Sequence, residues 1–194
     1  MRSLLAATVI ASLALACGAQ ASELPGTSGG AARAGNVPSN FVKHQEQYWT
    51  WYGPKSWSAG SGPYGIDIGD PQGTASIDYG GSSIFCDGTP DQHFAAQRAS
   101  LKNGGIALKH LKLRRISKIK QSGGTYFNTL QFSGKSGKTA LQGEIEMQYA
   151  SIDGQYCYQS TLAKTALAKG YGDRIKVLRA IWDNTFYYGP GLTP

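Results

Sequence analysis

Residues 141–149 read LQGEIEMQY, and their alternation constrains the fold more than any other stretch. Leu141, Ile145, Met147 and Tyr149 share one parity, while Gln142, Glu144, Glu146 and Gln148 share the other. Successive side chains of a strand point to opposite faces, so this segment has one apolar and one polar face. Other segments follow the same rule. Ile66 and Ile68 alternate with polar residues, Asp70-Pro71-Gln72-Gly73 supplies turn chemistry, and Ala75, Ile77 and Tyr79 alternate again, which predicts a hairpin. Ser82–Cys86 reads as a third short strand. Leu111, Leu113 and Ile119 share a parity, and Tyr126–Phe132 is rich in aromatics. Asp153-Gly154 marks a tight hairpin into Gln155–Gln159.

Two segments have helical spacing instead. Thr89-Pro90-Asp91-Gln92 is a helix start: Thr89 caps, Pro90 suits the first turn, and Gln92 closes a capping box. Phe94, Gln97, Arg98 and Leu101 continue it, and Asn103-Gly104-Gly105 ends it. Near the other end, Ile175, Leu178, Ile181 and Trp182 define an amphipathic helix, which the GPGLTP tail cannot continue. Strands joined by tight turns pair antiparallel, and two helices need a sheet face to cover. The expected fold is α+β: an antiparallel sheet of about six strands with two main helices packed on it and one disulfide.

The chain starts with a basic Met1-Arg2-Ser3, and Leu4–Ala16 then carries no charge. That run is shorter than the roughly 20 residues a helix needs to cross a bilayer, and it fits the core of a secretion signal. Two maturation routes compete. Ala19-Gln20-Ala21 is a small-x-small site that leaves Ser22 at the new start, whereas Leu13–Cys17 resembles a lipobox with Cys17 as the lipidated residue, although Ala14 stands where Leu is usual. The predicted organisation is a signal peptide over 1–21, a flexible linker over 22–40 rich in Gly, Ala, Ser and Pro, and a single α+β domain over 41–194. Either route leaves Cys86 and Cys157 as a pair. In an oxidising compartment they join, which stabilises the fold by about 4 kcal/mol in the chain-entropy model. The formal net charge is +7 for the full chain. Losing Arg2 leaves a modest basic excess that favours anionic partners such as envelope polymers or lipid headgroups.

The element order, together with the TPDQHF sequence (Thr89–Phe94) opening the first helix, resembles the PsbP-like α/β/α sandwich of small exported bacterial proteins. The resemblance covers residues 41–188. It implies binding and assembly roles more than catalysis.

Several motifs resolve into structural features. Gly60-Ser61-Gly62-Pro63-Tyr64-Gly65 matches GxGxxG, but a strand-like YGIDI follows it where a dinucleotide site needs a helix N-terminus. Gly137-Lys138-Thr139 ends like a phosphate loop, but Phe132 stands where the first glycine belongs, so it reads as a turn. Cys86, Asp87, Asp91 and His93 lie close in sequence. A thiol–histidine pair or an Asp/Asp/His metal set is conceivable there, against a disulfide cysteine beside a capped helix. The disulfide reading is preferred, and neither cofactor nor metal is expected.

Two surfaces remain as binding candidates. If Leu111, Leu113 and Ile119 face the core, then Lys112, Arg114, Lys118 and Lys120 point the other way, to hold an anionic polymer or to pair with Glu144 and Glu146 on a neighbouring strand. Trp49 and Trp51 share one parity and Tyr48 and Tyr52 the other, with Trp57 nearby. Either some of these rings are exposed to stack on sugars or peptides, or the strand is covered on both faces. The leading reading is an exported, non-enzymatic binding or assembly module for an anionic or glycan polymer or an envelope protein. It meets the membrane only through a lipid on Cys17, and export removes it from most nucleic acid. The alternative is a secreted hydrolase centred on Asp87, Asp91 and His93.

Overall fold

The computed structural model describes residues 37–103, 109–122, 124–152 and 156–188. The signal segment with Cys17, the linker up to residue 36, the Asp153-Gly154 turn and the GPGLTP tail lie outside these described residues.

The elements in chain order are β1 (Phe41–Gln45), β2 (Trp49–Pro54), β3 (Ser58–Gly62), β4 (Gly65–Gly69), β5 (Ala75–Phe85), α1 (Pro90–Asn103), β6 (Lys109–Ile116), β7 (Lys120–Ser122), β8 (Thr125–Ser136), β9 (Thr139–Ile152), β10 (Tyr156–Leu167), α2 (Tyr171–Asp183) and β11 (Thr185–Tyr187). They form an eight-stranded sheet of order β3-β4-β5-β10-β9-β8-β6, with β7 also on β8, and a three-stranded sheet of order β1-β2-β11. The pairing is antiparallel throughout. The α+β fold with two helices and one disulfide is therefore present, with more than six strands. The additional strands carry little sequence signal: β3 is SAGSG, and β11 has only three residues.

Parity along β10 divides the core. Leu162 and Ala163 are adjacent in sequence, yet Leu162 packs with Ile66, Ile77, Trp51 and the α2 residues Leu178 and Ile181, whereas Ala163 packs with Ile145, Met147, Phe132 and Phe94 of α1. The two helices thus cover opposite faces of the large sheet. α1 starts as its sequence predicts: the Thr89 main-chain N–H donates to Gln92 Oε1 at 2.8 Å, and the Gln92 N–H donates to Thr89 Oγ1 at 3.4 Å. The disulfide joins Cys86, just beyond β5, to Cys157 in β10.

Two expectations change, and the glycine-rich motif folds as read. Ser82–Cys86 is not a separate strand, because β5 runs on through Gly80-Gly81 to Phe85. The Tyr158 hydroxyl crosses close over Gly81, where a Cβ would have to push that side chain aside. The GxGxxG match is the β3–β4 hairpin, with Gly62 opposite Gly65. Finally, Trp49 and Trp51 are core residues, exposed by 4% and 0%, and cannot stack on a surface ligand. β2 is the middle strand of its sheet and is covered on both faces. Trp49 donates its indole N–H to the Gly62 carbonyl at 3.0 Å, and Trp51 lies flat on His44 with ring centroids 3.8 Å apart. Trp57 is half-buried against the same core.

Candidate functional site

α2 packs over β10, β5 and β2 and reaches the polar face of β9 at Glu144, so most of the polar face of β9, β8 and β6 carries no packed helix among the described residues. Register defines this open face as rows of side chains. One row runs Ala166, Gln142, Ser133, Lys112, and another runs Ser160, Gln148, Phe127, Lys120. Between them lie two rows, Lys164, Glu144, Gln131 and Leu162, Glu146, Thr129. The polar half of the 141–149 alternation therefore forms the floor, and β6 and β7 form the rim.

The carboxylates of the floor are engaged within the molecule. Arg179 of α2 holds Glu144 through both guanidinium and carboxylate pairs, with Nε 3.1 Å from Oε2. Gln148 donates its amide to Glu146 Oε1 at 3.0 Å. Burial lowers the pKa of Lys164, while nearby Glu146 and Glu144 work against that shift. At the α2 side, Tyr79 and Tyr158 join hydroxyls 2.5 Å apart, and burial raises the pKa of Tyr158.

Lys112, Arg114, Lys118 and Lys120 are all exposed. They do not project as one strict row. β6 carries register shifts between Lys109 and Lys112 and between Leu113 and Arg115, and His110 has φ of 60° at the first of them. Lys112 and Lys120 belong to the open face by register, Arg114 sits in the second bulge, and Lys118 lies between strands. Pairing with Glu144 and Glu146 does not occur. β8 separates β6 from β9, and both glutamates have the partners just described.

Asp87, Asp91 and His93 flank the start of α1. The His93 ring meets the Asp87 main-chain oxygen through Nε2 and stacks on Tyr149 at 4.5 Å. Tyr149 in turn donates its hydroxyl to Cys157 Sγ at 2.7 Å. His93 is thereby built into the packing around the disulfide, while Asp91 is exposed in the first helical turn. The described residues contain no group of three or more His, Cys, Asp or Glu arranged to hold a metal.

Sequence reading missed Phe85 and Tyr156. They stand opposite each other on β5 and β10, exposed by 73% and 50%, with rings stacked at 6.0 Å. Their parity matches that of Tyr158 and Ser160, so they belong to the same sheet side as the open face.

No protein-family model matches the chain, and no curated protein matches it. Solved structures do. LpqN, involved in cell envelope biogenesis of Mycobacterium tuberculosis, has 17% identity and a TM-score of 0.52, covering 84% of this chain and 98% of its own. The chain shares the LpqN fold. A Pseudomonas aeruginosa protein of unknown function matches with 13% identity and a TM-score of 0.42, covering 80% of this chain and 97% of that one. The Saccharomyces cerevisiae Ran-binding protein Mog1p has 8% identity and a TM-score of 0.42, covering 76% and 95%. At these identities the LpqN likeness establishes a related small α/β fold and nothing finer, and the two weaker likenesses add nothing to it.

Proposed function

We propose that this chain is an exported, non-enzymatic binding or assembly module that meets an anionic polymer of the cell envelope along the β6–β7 rim. The observation that carries this reading is the exposure of Lys112, Arg114, Lys118 and Lys120 beside an open sheet face whose own carboxylates are already engaged. A cation without an internal partner keeps its field available to a ligand. The secretion signal over 1–21, with the linker over 22–40, places the domain over 41–194 outside the cytoplasm, held by a lipid on Cys17 or released with Ser22 at its start. LpqN's part in envelope biogenesis and the PsbP-like element order are consistent with that setting.

The test is retention on an immobilised anionic polymer such as dextran sulfate, read as the salt concentration of elution. Replacing Lys112, Arg114, Lys118 and Lys120 together by Gln abolishes retention while the melting temperature stays near that of the parent. Unchanged elution overturns the proposal. Mass spectrometry of the mature N-terminus distinguishes acylated Cys17 from free Ser22.

A further inference from the structure

The exposed ring pair and the basic rim lie on one side of one sheet. A single exposed hydrophobic side chain is ordinary, but two directly opposed, stacked rings form one flat surface. We propose that the anionic polymer is a saccharide, which crosses the open face from Lys112 and Lys120 to Phe85 and Tyr156, where one sugar ring lies against the aromatic surface. This inference rests on the anionic-polymer reading and narrows its ligand to one class.

Charge complementarity selects the sign. Glu144 is tied to Arg179 and Glu146 lies beside Lys164 and Gln148, so among the described side chains the charges this face exposes at its rim are Lys112 and Lys120. Span selects a polymer. Tyr156 lies four residues from Ser160 along β10, and Ser160 lies three strand spacings from Lys120, so the diagonal is about 20 Å. The chemistry between the two ends selects a saccharide. Gln148, Gln142 and Ser133 offer amide and hydroxyl groups to sugar hydroxyls, Phe127 interrupts them with a ring, and the Phe85–Tyr156 pair suits the C–H face of a pyranose. An acidic peptide satisfies the lysines but brings no flat ring with a hydroxylated edge.

The experiment measures binding of the purified chain, by calorimetry, to alginate and to poly-glutamate matched in charge. The parent binds alginate at least tenfold more tightly. Phe85→Thr/Tyr156→Thr keeps strand propensity at two exposed positions. It weakens alginate binding about tenfold and leaves poly-glutamate binding unchanged. Equal affinity of the parent for both polymers overturns the saccharide inference. So does a double variant that binds alginate like the parent, or one that loses both polymers equally. If the quadruple Gln variant still binds both polymers, the anionic-polymer reading itself falls, so the two failures are distinguishable.

Discussion

Asp67 of β4 and Asp78 of β5 stand directly opposite each other in the antiparallel register. Their row reads Gly60, Asp67, Asp78, Ala163, Ile145, without a cation. Like charges in this position repel. Ser76 donates a hydroxyl to Asp78 at 3.3 Å, but burial pushes the Asp78 carboxyl up to about 6, and the Asp67 charge adds to the rise. Burial raises Asp67 as well.

The folded chain therefore holds the Asp78 proton more tightly than the unfolded chain, where the ordinary value is 3.8. A raised acid pKa contributes stability at low pH that is lost as pH rises from about 4 to about 6. The contribution is at most about 3 kcal/mol. Asp78→Asn removes this pH dependence and is more stable than the parent at pH 7.5. Melting temperatures of both proteins between pH 4 and 8 check it. Parallel pH curves for the two proteins contradict it.

The Cys86–Cys157 bond closes a separation of 71 residues. The intact protein shows no free thiol on labelling without reductant. The Cys86→Ser/Cys157→Ser variant loses about 4 kcal/mol in chemical denaturation. An unchanged midpoint counts against this.

Gly143 of β9 lies under the Phe132 ring and against the Lys164 carbonyl, where a Cβ would overlap both. Because one obstacle is backbone, local repacking cannot relieve it. Gly143→Ala destabilises the fold by about 1–3 kcal/mol, measured by urea denaturation. A neutral effect shows that β9 and β10 can separate locally.

The buried tryptophans separate stability from binding. Trp51→Ala costs about 3–5 kcal/mol, as expected for a large side chain removed from a core. The milder Trp49→Phe lowers the melting temperature but leaves retention on dextran sulfate unchanged. Loss of retention in a folded Trp49→Phe protein contradicts the assignment of this ring to the core.

Local chemistry was the legible part of the sequence. The 141–149 alternation, the Thr89–Gln92 capping box and the Ile175–Ile181 spacing each depend on neighbours in the chain, and each recurs in the structure as read. The basic rim was legible only roughly, because two bulges in β6 defeat simple parity and shift Arg114 away from Lys112. The tryptophans resisted reading because β1 and β11, which flank β2, are short and carry little signal of their own. The acid pair was within reach: once Ile66–Ile68 and Ala75–Tyr79 form a hairpin, antiparallel register sets residue 67 against residue 78. Phe85 and Tyr156 required a long-range pairing that no turn between them announces.

The three-stranded sheet imposes an order on folding. β2 comes from the start of the described chain, and its partner β11 comes from the far end. The Tyr52 amide bonds to the Asn184 carbonyl, and the Tyr188 amide to the Tyr48 carbonyl. During synthesis, the main-chain edge of β2 that β11 will cover stays unpaired until the residues after α2 emerge. Such long-range closure is slow, and it keeps sticky surface open meanwhile. The β2–β11 seam is thus the last pairing among the described elements that a growing chain can make, and a chain halted before Thr185 encodes both helices and the large sheet but leaves the β11 side of β2 open.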